Sequence, residues 1–365
     1  MSEKIERILN WFYGKPSYPF KIIMIPTNRC NLNCPYCPNA LPRWKGEFKE
    51  SDELSTKEWE KIVKEGLKLS VKEWSIIGGG EPFLRKDVVM NTIKLVKNFH
   101  DTECEVITNG TLIDENTSKK IVEFGLDRIL ISIDGPNEKI HDSLRRVKGA
   151  FKRATYFIKN VNKWKKMMKK EKPYIKINMV INKKNFDKIN EMLLFLKGLE
   201  VQELALHPMR EYFTSISLNS LQLNPREKKY LTKMIEKAKE LAEKTKIKLN
   251  IDMITLELND QKKIDTFINS KLRKRIEKCF CFEPLYTIFI DASGLANGCS
   301  PSGKGKEELD VKKKSLREIW FSNEFEKIRK IVMSGKHFDY CSKCGLTDMK
   351  IHIKNELLKE IRNEI

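Results

Sequence analysis

Residues 27–38 read Thr27-Asn28-Arg29-Cys30-Asn31-Leu32-Asn33-Cys34-Pro35-Tyr36-Cys37-Pro38. The three cysteines are spaced C-x3-C-x2-C, and they follow the apolar run of residues 22–25, which is typical of a buried strand. The loop would therefore begin at the C-terminal end of that strand. Cysteine thiolates are the usual ligands of iron–sulfur clusters. Three of them can hold three irons of a [4Fe–4S] cube and leave the fourth iron open to a second molecule.

Structural zinc is the alternative for a C-x2-C pair with a third cysteine, because zinc sites usually add a fourth Cys or His. No His lies within the loop, and the next cysteine along the chain is Cys104. Ligand type and spacing favour an iron–sulfur cluster. Structural zinc is the alternative that these residues leave open.

The composition is that of a globular protein of 365 residues, of which 40% are hydrophobic. No apolar run reaches the length of a membrane-spanning helix and there is no signal peptide, which predicts a cytoplasmic protein. The chain has nine cysteines. In a reducing compartment they favour metal or redox chemistry over disulfides.

The formal net charge is +20, and the basic residues are dispersed among acidic ones along the predicted helices. This pattern is typical of a solvated, lysine-rich surface such as thermophiles use. The alternative is attraction of an anionic partner, such as a phosphorylated substrate, RNA or a membrane surface. The dispersion favours the solvated surface, so nucleic acid is not expected as a partner.

Short apolar strands alternate with amphipathic helices through the first 210 residues. The predicted strands are 21–26, 73–77, 104–107, 128–135, 174–181 and 203–207. Six such units with nearly continuous apolar strands predict a parallel sheet with helices outside it. Polar and glycine-rich residues follow the strands, at the end where βα folds place their sites.

The chain divides into five predicted parts. These are an N-terminal helix and turn (1–20), a core (21–210), a connector (211–278), a small cysteine-bearing α+β domain (279–347) and a C-terminal helix (348–365).

Three further segments follow the second, third and fourth predicted strands. They read Gly78-Gly79-Gly80-Glu81-Pro82, Thr108-Asn109-Gly110 and Ser132-Ile133-Asp134-Gly135, with Arg145 a little further on. Glycine lets a ligand approach the backbone closely, and arginine offers a carboxylate a rigid donor fork. With the cysteine motif, these segments resemble the radical S-adenosylmethionine (SAM) superfamily over residues 17–210. The resemblance implies an α/β fold whose core is a partial (β/α)6 barrel, open on one side.

The resemblance also implies the ligands of the cofactors. In that family the cysteine loop binds a [4Fe–4S] cluster, so Cys30, Cys34 and Cys37 would be its ligands. Tyr36 would lie beside the adenine of SAM, and Arg145 would contact its carboxylate and ribose region. The implied contacts of SAM are Tyr36, Gly78, Gly79, Gly80, Glu81, Pro82, Thr108, Asn109, Ser132, Asp134 and Arg145.

Apart from Cys104, the remaining cysteines lie near the C-terminus, around a segment at 288–294 that has the alternation and turn of a β-hairpin. This stretch resembles the SPASM and twitch modules of some radical SAM proteins. No cysteine follows Cys344, so it is similar to the shorter twitch type, with one auxiliary [4Fe–4S] cluster. Its implied ligands are Cys281, Cys299, Cys341 and Cys344. Structural zinc is the alternative, Cys279 competes with Cys281 as a ligand, and Cys104 is expected to be an inert buried thiol.

The resemblance implies an enzyme that cleaves SAM to methionine and a 5′-deoxyadenosyl radical, which takes a hydrogen atom from a substrate. An auxiliary cluster with four protein ligands would then transfer electrons, giving an oxidation or a new bond. The alternatives are a radical SAM epimerase or a carbon–carbon coupling enzyme acting on a lipid, sugar or cofactor precursor. A further alternative, from a different class of function, is a zinc-bearing protein that binds nucleic acid.

The expected partners are an electron donor such as flavodoxin or ferredoxin and a small-molecule, lipid or peptide substrate, anionic substrates included. No leader-binding domain is apparent before the core, which argues mildly against a ribosomal peptide. The side chains considered for the cavity, without an assigned role, are His207, Arg210, Glu283 and Tyr286.

Overall fold

The computed structural model of the chain describes residues 1–209, 218–252, 254, 271–299, 307–339, 341 and 347–361. Arg210 and Cys344 lie outside these residues. The strands are β1 (Lys21–Met24), β2 (Glu73–Ile76), β3 (Glu103–Thr108), β4 (Arg128–Ser132), β5 (Tyr174–Ile181), β6 (Glu203–Pro208), β7 (Lys248–Asn250), β8 (Thr287–Ile290) and β9 (Ala296–Asn297).

Within the described ranges these strands form one sheet in the order β7-β6-β5-β4-β3-β2-β1-β8-β9. Strands β1 to β6 are parallel neighbours in chain order, and β7 is parallel to β6. The predicted parallel βα core is therefore confirmed. The sheet ends on β7 at one side and on β9 at the other, so it is open, as a partial barrel is.

The helices cover the outside of the sheet and the two chain ends. They are α1 (Glu3–Phe12), α2 (Ala40–Trp44), α3 (Thr56–Lys68), α4 (Lys86–Lys97), α5 (Glu115–Glu123), α6 (Glu138–Arg145), α7 (Ala150–Met168), α8 (Ile189–Gly198), α9 (Pro225–Thr245), α10 (Lys271–Lys278), α11 (Glu283–Tyr286), α12 (Leu316–Trp320), α13 (Asn323–Met333) and α14 (Thr347–Glu360). Local sequence fixes several of their starts. Ser55 and Glu58, for example, form a capping box at α3.

The cysteine-rich C-terminal region shares the sheet of the core. β8 pairs in parallel with β1, with Lys21 opposite Thr287, and β9 turns back antiparallel to β8. The predicted hairpin is thus present, and its first strand extends the sheet beyond β1. The division of the chain at residue 279 stays a prediction.

Charged side chains meet at the N-terminal ends of the first four strands. Lys21 Nζ lies 3.7 Å from a carboxylate oxygen of Glu73 and 3.6 Å from one of Glu105. Arg128 Nε lies 3.2 Å from Glu105. Burial alone would raise the pKa of Glu105, but Lys21 and Arg128 bring it below its ordinary value. This end of the sheet is therefore polar and paired, and the cysteine and glycine segments lie at the other end.

A buried arginine joins the N-terminal helix to the C-terminal region. Arg329 in α13 is 2% exposed, and its guanidinium carbon lies 4.1 Å from the ring centroids of both Trp11 and Trp320. Its Nε donates to the carbonyl of Pro284 at 3.1 Å. Cation–π contacts of this kind are worth about 2 kcal/mol when desolvated. Arg329 therefore ties α1, α12 and α13 to the segment that follows Cys281.

None of the described helices is both long enough and apolar enough to cross a membrane.

Gly66→Ala tests how tightly α3 packs on the sheet. A Cβ at Gly66 would lie 2.5 Å from Trp74 Cη2 and 2.7 Å from Ile22 Cδ1. We expect the free energy of unfolding to fall by about 1–3 kcal/mol, because both neighbours are fully buried. Gly198→Ala is the control, because a Cβ there meets nothing within 4 Å. Urea denaturation measures the free energy of unfolding of both variants. We expect Gly66→Ala to be less stable than the wild type and Gly198→Ala to be at least as stable as the wild type. Equal destabilisation by both would contradict the close packing.

Candidate active site

One cavity of about 410 Å³ lies at the C-terminal ends of the strands. Most of the predicted site residues line it: Cys30, Cys34, Tyr36, Cys37, Gly78, Gly79, Gly80, Glu81, Thr108, Asn109, Ser132 and Arg145. Pro82 and Asp134 are buried and adjoin lining residues, since Pro82 follows Glu81 and Asp134 pairs with Arg145. Segments from four strand ends therefore converge where the sequence predicts a SAM site.

The first cysteine is positioned by the end of β3. Cys30 Sγ lies 3.4 Å from the backbone nitrogen of Leu32 and 3.9 Å from Asn109 Nδ2. Asn109 also donates to Asn31 Oδ1 at 2.9 Å and accepts from the Thr111 backbone nitrogen at 2.9 Å. The side chain of Asn109 thus fixes the cysteine loop to the turn after β3.

Two arginines lie beside the other two thiols. Arg145 Nη1 is 3.6 Å from Cys34 Sγ. Arg43 Nη1 and Nη2 are 3.8 and 3.7 Å from Cys37 Sγ. Hydrogen-bond donors beside cluster sulfurs are one of the means by which proteins set the properties of iron–sulfur sites.

The glycine turn after β2 packs directly against the cysteine loop. Gly80 donates its backbone N–H to Thr27 O at 3.0 Å, and Glu81 donates to Arg29 O at 2.8 Å. A Cβ at Gly79 would overlap the Asn28 side chain, and one at Gly80 would overlap the Arg29 backbone. Only glycine lets these two chain segments approach so closely.

Glu81 stabilises the turn after β3. Its carboxylate accepts from the Thr108 hydroxyl at 2.6 Å, from the Asn109 backbone nitrogen at 2.7 Å and from the Phe83 backbone nitrogen at 3.1 Å. Burial raises the pKa of Glu81, and these three donors oppose the rise. Glu81 and Thr108 therefore connect the ends of β2 and β3 as well as lining the cavity.

The buried carboxylate of Asp134 connects β4, β5 and the cysteine loop. Asp134 is fully buried, and its Oδ2 lies 2.8 Å from Arg145 Nη2. It accepts from the Val180 backbone nitrogen at 3.0 Å and from the Tyr36 hydroxyl. Burial alone would lower the pKa of Arg145, but Asp134 holds it well above its ordinary value. The hydroxyl of Tyr36 thus binds Asp134, while the side chain of Tyr36 also lines the cavity.

A metal that binds these cysteines replaces their thiol protons. Burial raises the pKa of Cys30 to about 11 and also raises that of Cys34, against the effect of Arg145. The three sulfurs open into one cavity, and each has an N–H donor beside it. This donor set fits a cluster in which every thiolate takes its own iron.

The C-terminal cysteines lie on segments that contact one another. The ring of Phe280, next to Cys281, lies 4.8 Å from that of His337. A Cβ at Gly298, next to Cys299, would lie 3.1 Å from Pro284. Among the described side chains no three Cys, His, Asp or Glu surround a single ion position. Because Cys344 lies outside the described residues, the auxiliary ligand set stays a prediction.

Two cysteines outside these ligand sets are buried. Cys104 in β3 is 1% exposed, and burial raises the pKa of its thiol far above the ordinary value. Cys279 is 5% exposed, and its Sγ lies 3.4 Å from the carbonyl oxygen of Cys281. The thiol of Cys104 is therefore shielded from solvent, whereas Cys279 lies beside the proposed ligand Cys281.

The other side chains expected near the cavity lie in two places. His207 lines the cavity, and its Nε2 lies 3.2 Å from Asn178 Oδ1 on the neighbouring strand. Glu283 and Tyr286 are buried in α11 and hydrogen-bond to each other, outside the cavity lining. Sequence reasoning missed Arg43 and Asn178 altogether, because neither belongs to a motif or to a predicted strand end.

Two family models match the chain. One is the Radical SAM superfamily over residues 24–196, and the other is the SPASM iron–sulfur cluster-binding domain over residues 279–345. The chain therefore contains a radical SAM domain and, towards its C-terminus, a SPASM domain. The radical SAM domain implies a [4Fe–4S] cluster and SAM as cofactors, and the SPASM domain implies auxiliary iron–sulfur clusters. The twitch form with a single auxiliary cluster is narrower and stays a prediction.

Similar proteins include enzymes acting on different molecules. The AdoMet-dependent heme synthase of Methanosarcina barkeri is 30% identical to this radical SAM protein over 175 residues, 47% of this chain and 46% of the relative. The PqqA peptide cyclase of Bradyrhizobium diazoefficiens is 26% identical over 240 residues, 65% of this chain and 58% of the relative. Each match thus spans less than two thirds of the relative's length.

A solved structure shares the fold of this radical SAM protein. SuiB of Streptococcus suis, bound to the precursor peptide SuiA, superposes with a TM-score of 0.66 at 18% identity. The superposition covers 93% of this chain and 72% of SuiB. It supports the architecture alone.

Asp134→Asn should weaken the structure around the cavity. The substitution removes the charge paired with Arg145 but keeps the size of the side chain. We expect the free energy of unfolding to fall by roughly 3–5 kcal/mol, because a buried guanidinium loses its counter-charge. Urea denaturation followed by circular dichroism measures the change.

The matched control is Asp187→Asn. Asp187 forms a surface pair with Lys188 at 3.4 Å. Its loss should change the free energy of unfolding by less than about 0.5 kcal/mol. If both Asp variants unfolded at the same urea concentration, Asp134 would not be the structural centre that its contacts indicate.

Proposed function

We propose that this radical SAM protein cleaves SAM reductively and uses the resulting 5′-deoxyadenosyl radical to take a hydrogen atom from its substrate. One observation carries the proposal. The three thiols, the glycine turn and two arginines line the same cavity at the C-terminal ends of the strands. Each group has a task in holding a cluster or a charged amino-acid-like ligand.

When bound, the cluster and SAM supply the electron and the radical, and the protein has to position both groups. Cys30, Cys34 and Cys37 are the proposed cluster ligands. The carbonyls of the glycine turn would accept hydrogen bonds from the ammonium group of SAM. Ser132 and Arg145 would take its carboxylate and ribose region, with Arg145 already oriented by Asp134.

The cysteine loop is also shielded by an apolar cluster of its own. Its buried members are Leu32, Cys34, Tyr36, Leu144, Ala150, Leu218 and Leu221, with Val180 and Met209 packed against them. Leu218 and Leu221 come from the segment before α9, and the carbonyl of Leu221 accepts from the Lys183 backbone nitrogen at 2.9 Å. Keeping water away from this end of the sheet protects a reactive radical from side reactions.

We further propose that an auxiliary cluster held by Cys281, Cys299, Cys341 and Cys344 accepts an electron after hydrogen abstraction, so that the overall reaction is an oxidation or a bond formation. Four protein ligands leave no iron open, which suits electron transfer. A flavodoxin or ferredoxin in the cytoplasm is the proposed electron donor. The cysteine content of the chain suits that reducing compartment.

The substrate is proposed to be a peptide or a small molecule. Similarity to the PqqA peptide cyclase and to SuiB, which was crystallised with a precursor peptide, supports a peptide. Similarity to the heme synthase supports a small molecule. Bond formation is the second candidate outcome beside simple oxidation, and the cyclase supports it. Product analysis separates the two, since only bond formation joins two atoms of the substrate.

Cys34→Ala tests the radical SAM site. In the anaerobically reconstituted protein we expect bound iron to fall from about eight to about four per chain. Formation of 5′-deoxyadenosine from SAM with dithionite should fall to the level without protein. Cys104→Ala, which removes a buried thiol away from the cavity, should keep both iron and activity. Unchanged 5′-deoxyadenosine formation by Cys34→Ala would refute the proposal.

The pair Cys281→Ala and Cys279→Ala tests the auxiliary site. We expect Cys281→Ala to lose about four irons and still form 5′-deoxyadenosine, while Cys279→Ala keeps about eight. Iron and sulfide analysis of the two variants gives the answer. If Cys279→Ala alone lost iron, Cys279 would be the ligand in place of Cys281. If neither lost iron, the auxiliary ligand set would be wrong.

A further inference from the structure

We infer that Arg43 is a positioning residue for the cluster of the cysteine loop, and that its guanidinium raises the reduction potential of that cluster. The inference rests on the proposed function, and it concerns a residue outside every motif described above. Arg43 lies in α2, six residues after Cys37, and lines the cavity.

The contacts of Arg43 join the third thiol to the glycine turn. Its Nη1 and Nη2 lie 3.8 and 3.7 Å from Cys37 Sγ, and Nη2 also donates to Gly79 O at 3.2 Å. Asn39 Nδ2 donates to the same carbonyl at 2.6 Å. The Nε of Arg43 is buried and has no hydrogen-bond partner in the described part of the chain. The guanidinium is therefore held in place by the sulfur and by the turn.

The charge of Arg43 distinguishes it from the other arginines near the site. Arg145 is paired with Asp134 at 2.8 Å, and Arg29 is paired with Glu53 at 3.0 Å. Arg43 forms no ion pair with any carboxylate in the described residues, whereas the neighbouring arginines do form such pairs. Arg43 thus brings to the sulfur of Cys37 a positive charge that no carboxylate of the described residues pairs with.

A cation at this place favours the reduced cluster. Reduction adds one negative charge to a group that already carries three thiolates. Net charge and hydrogen bonds to the sulfurs are among the factors that set iron–sulfur potentials. In a partly buried site the attraction between opposite charges is screened less than in water. The Arg43 side chain should therefore make the cluster easier to reduce by a given electron donor.

The geometry also predicts how substitutions at this position differ. Glutamine removes the charge, while lysine keeps it but loses the planar fork that contacts the sulfur and Gly79 O together. Lys45 is the matched control, because it lies two residues further along, is exposed and does not line the cavity.

The test is a potentiometric titration of the reconstituted protein, followed by electron paramagnetic resonance. The signal that changes when SAM is added identifies the reduced cluster of the cysteine loop. We expect a more negative midpoint potential in Arg43→Gln, an intermediate one in Arg43→Lys and an unchanged one in Lys45→Gln. As a second readout, Arg43→Gln should form 5′-deoxyadenosine more slowly with dithionite and recover with a stronger reductant such as titanium(III) citrate.

The outcomes separate this inference from the proposed function. If the wild type had no SAM-responsive signal, the proposed function would fail. If that signal were present with the same midpoint in Arg43→Gln as in the wild type, the role of Arg43 would be refuted. Loss of iron from both Arg43→Gln and Arg43→Lys would also refute it, because Arg43 would then serve folding alone.

Discussion

The cysteine loop depends on the buried ion pair between Asp134 and Arg145. Asp134 has no exposed surface, and it holds the arginine at 2.8 Å, the Tyr36 hydroxyl and the backbone nitrogen of Val180. Arg145 in turn places Nη1 3.6 Å from Cys34 Sγ. A buried pair of this kind is costly to break because either charge alone would be stranded in a medium of low polarity. One interaction therefore fixes the middle thiol relative to two strands.

The other two thiols are fixed in the same manner from neighbouring strand ends. Asn109, at the end of β3, reaches Cys30, and the glycine turn after β2 holds Arg43 beside Cys37. Parallel strands bring their C-terminal ends to one edge, so groups that are far apart in sequence meet there. At the opposite end of the sheet, the charged side chains pair with one another. They therefore add no group to the cavity.

The sequence predicts those features of the structure that depend on residues close together along the chain. The apolar strands, the cysteine spacing and the glycine turn could be read directly, since strand pattern and turn residues act over a few positions. Contacts between elements that are distant in sequence could not be predicted in this way. Five-residue α2, which carries Arg43, is too short to have a helical period. The pairing of β8 with β1 joins strands more than 250 residues apart in sequence, and no local pattern encodes it. The pairing of Arg145 with Asp134 depends on how α6 packs beside β4, so the sequence named both residues as contacts of SAM without predicting that they pair with each other.

The spectrum of the reduced cluster, recorded with and without SAM, tests whether the three-cysteine loop leaves one iron open. The electron paramagnetic resonance spectrum of the dithionite-reduced protein should change in shape when SAM is added, because SAM would bind the open fourth iron. S-adenosylhomocysteine, which lacks the sulfonium, gives a comparison at the same concentration. Spectra that are identical before and after SAM, in protein that contains its full iron, would contradict an open iron in the cysteine loop.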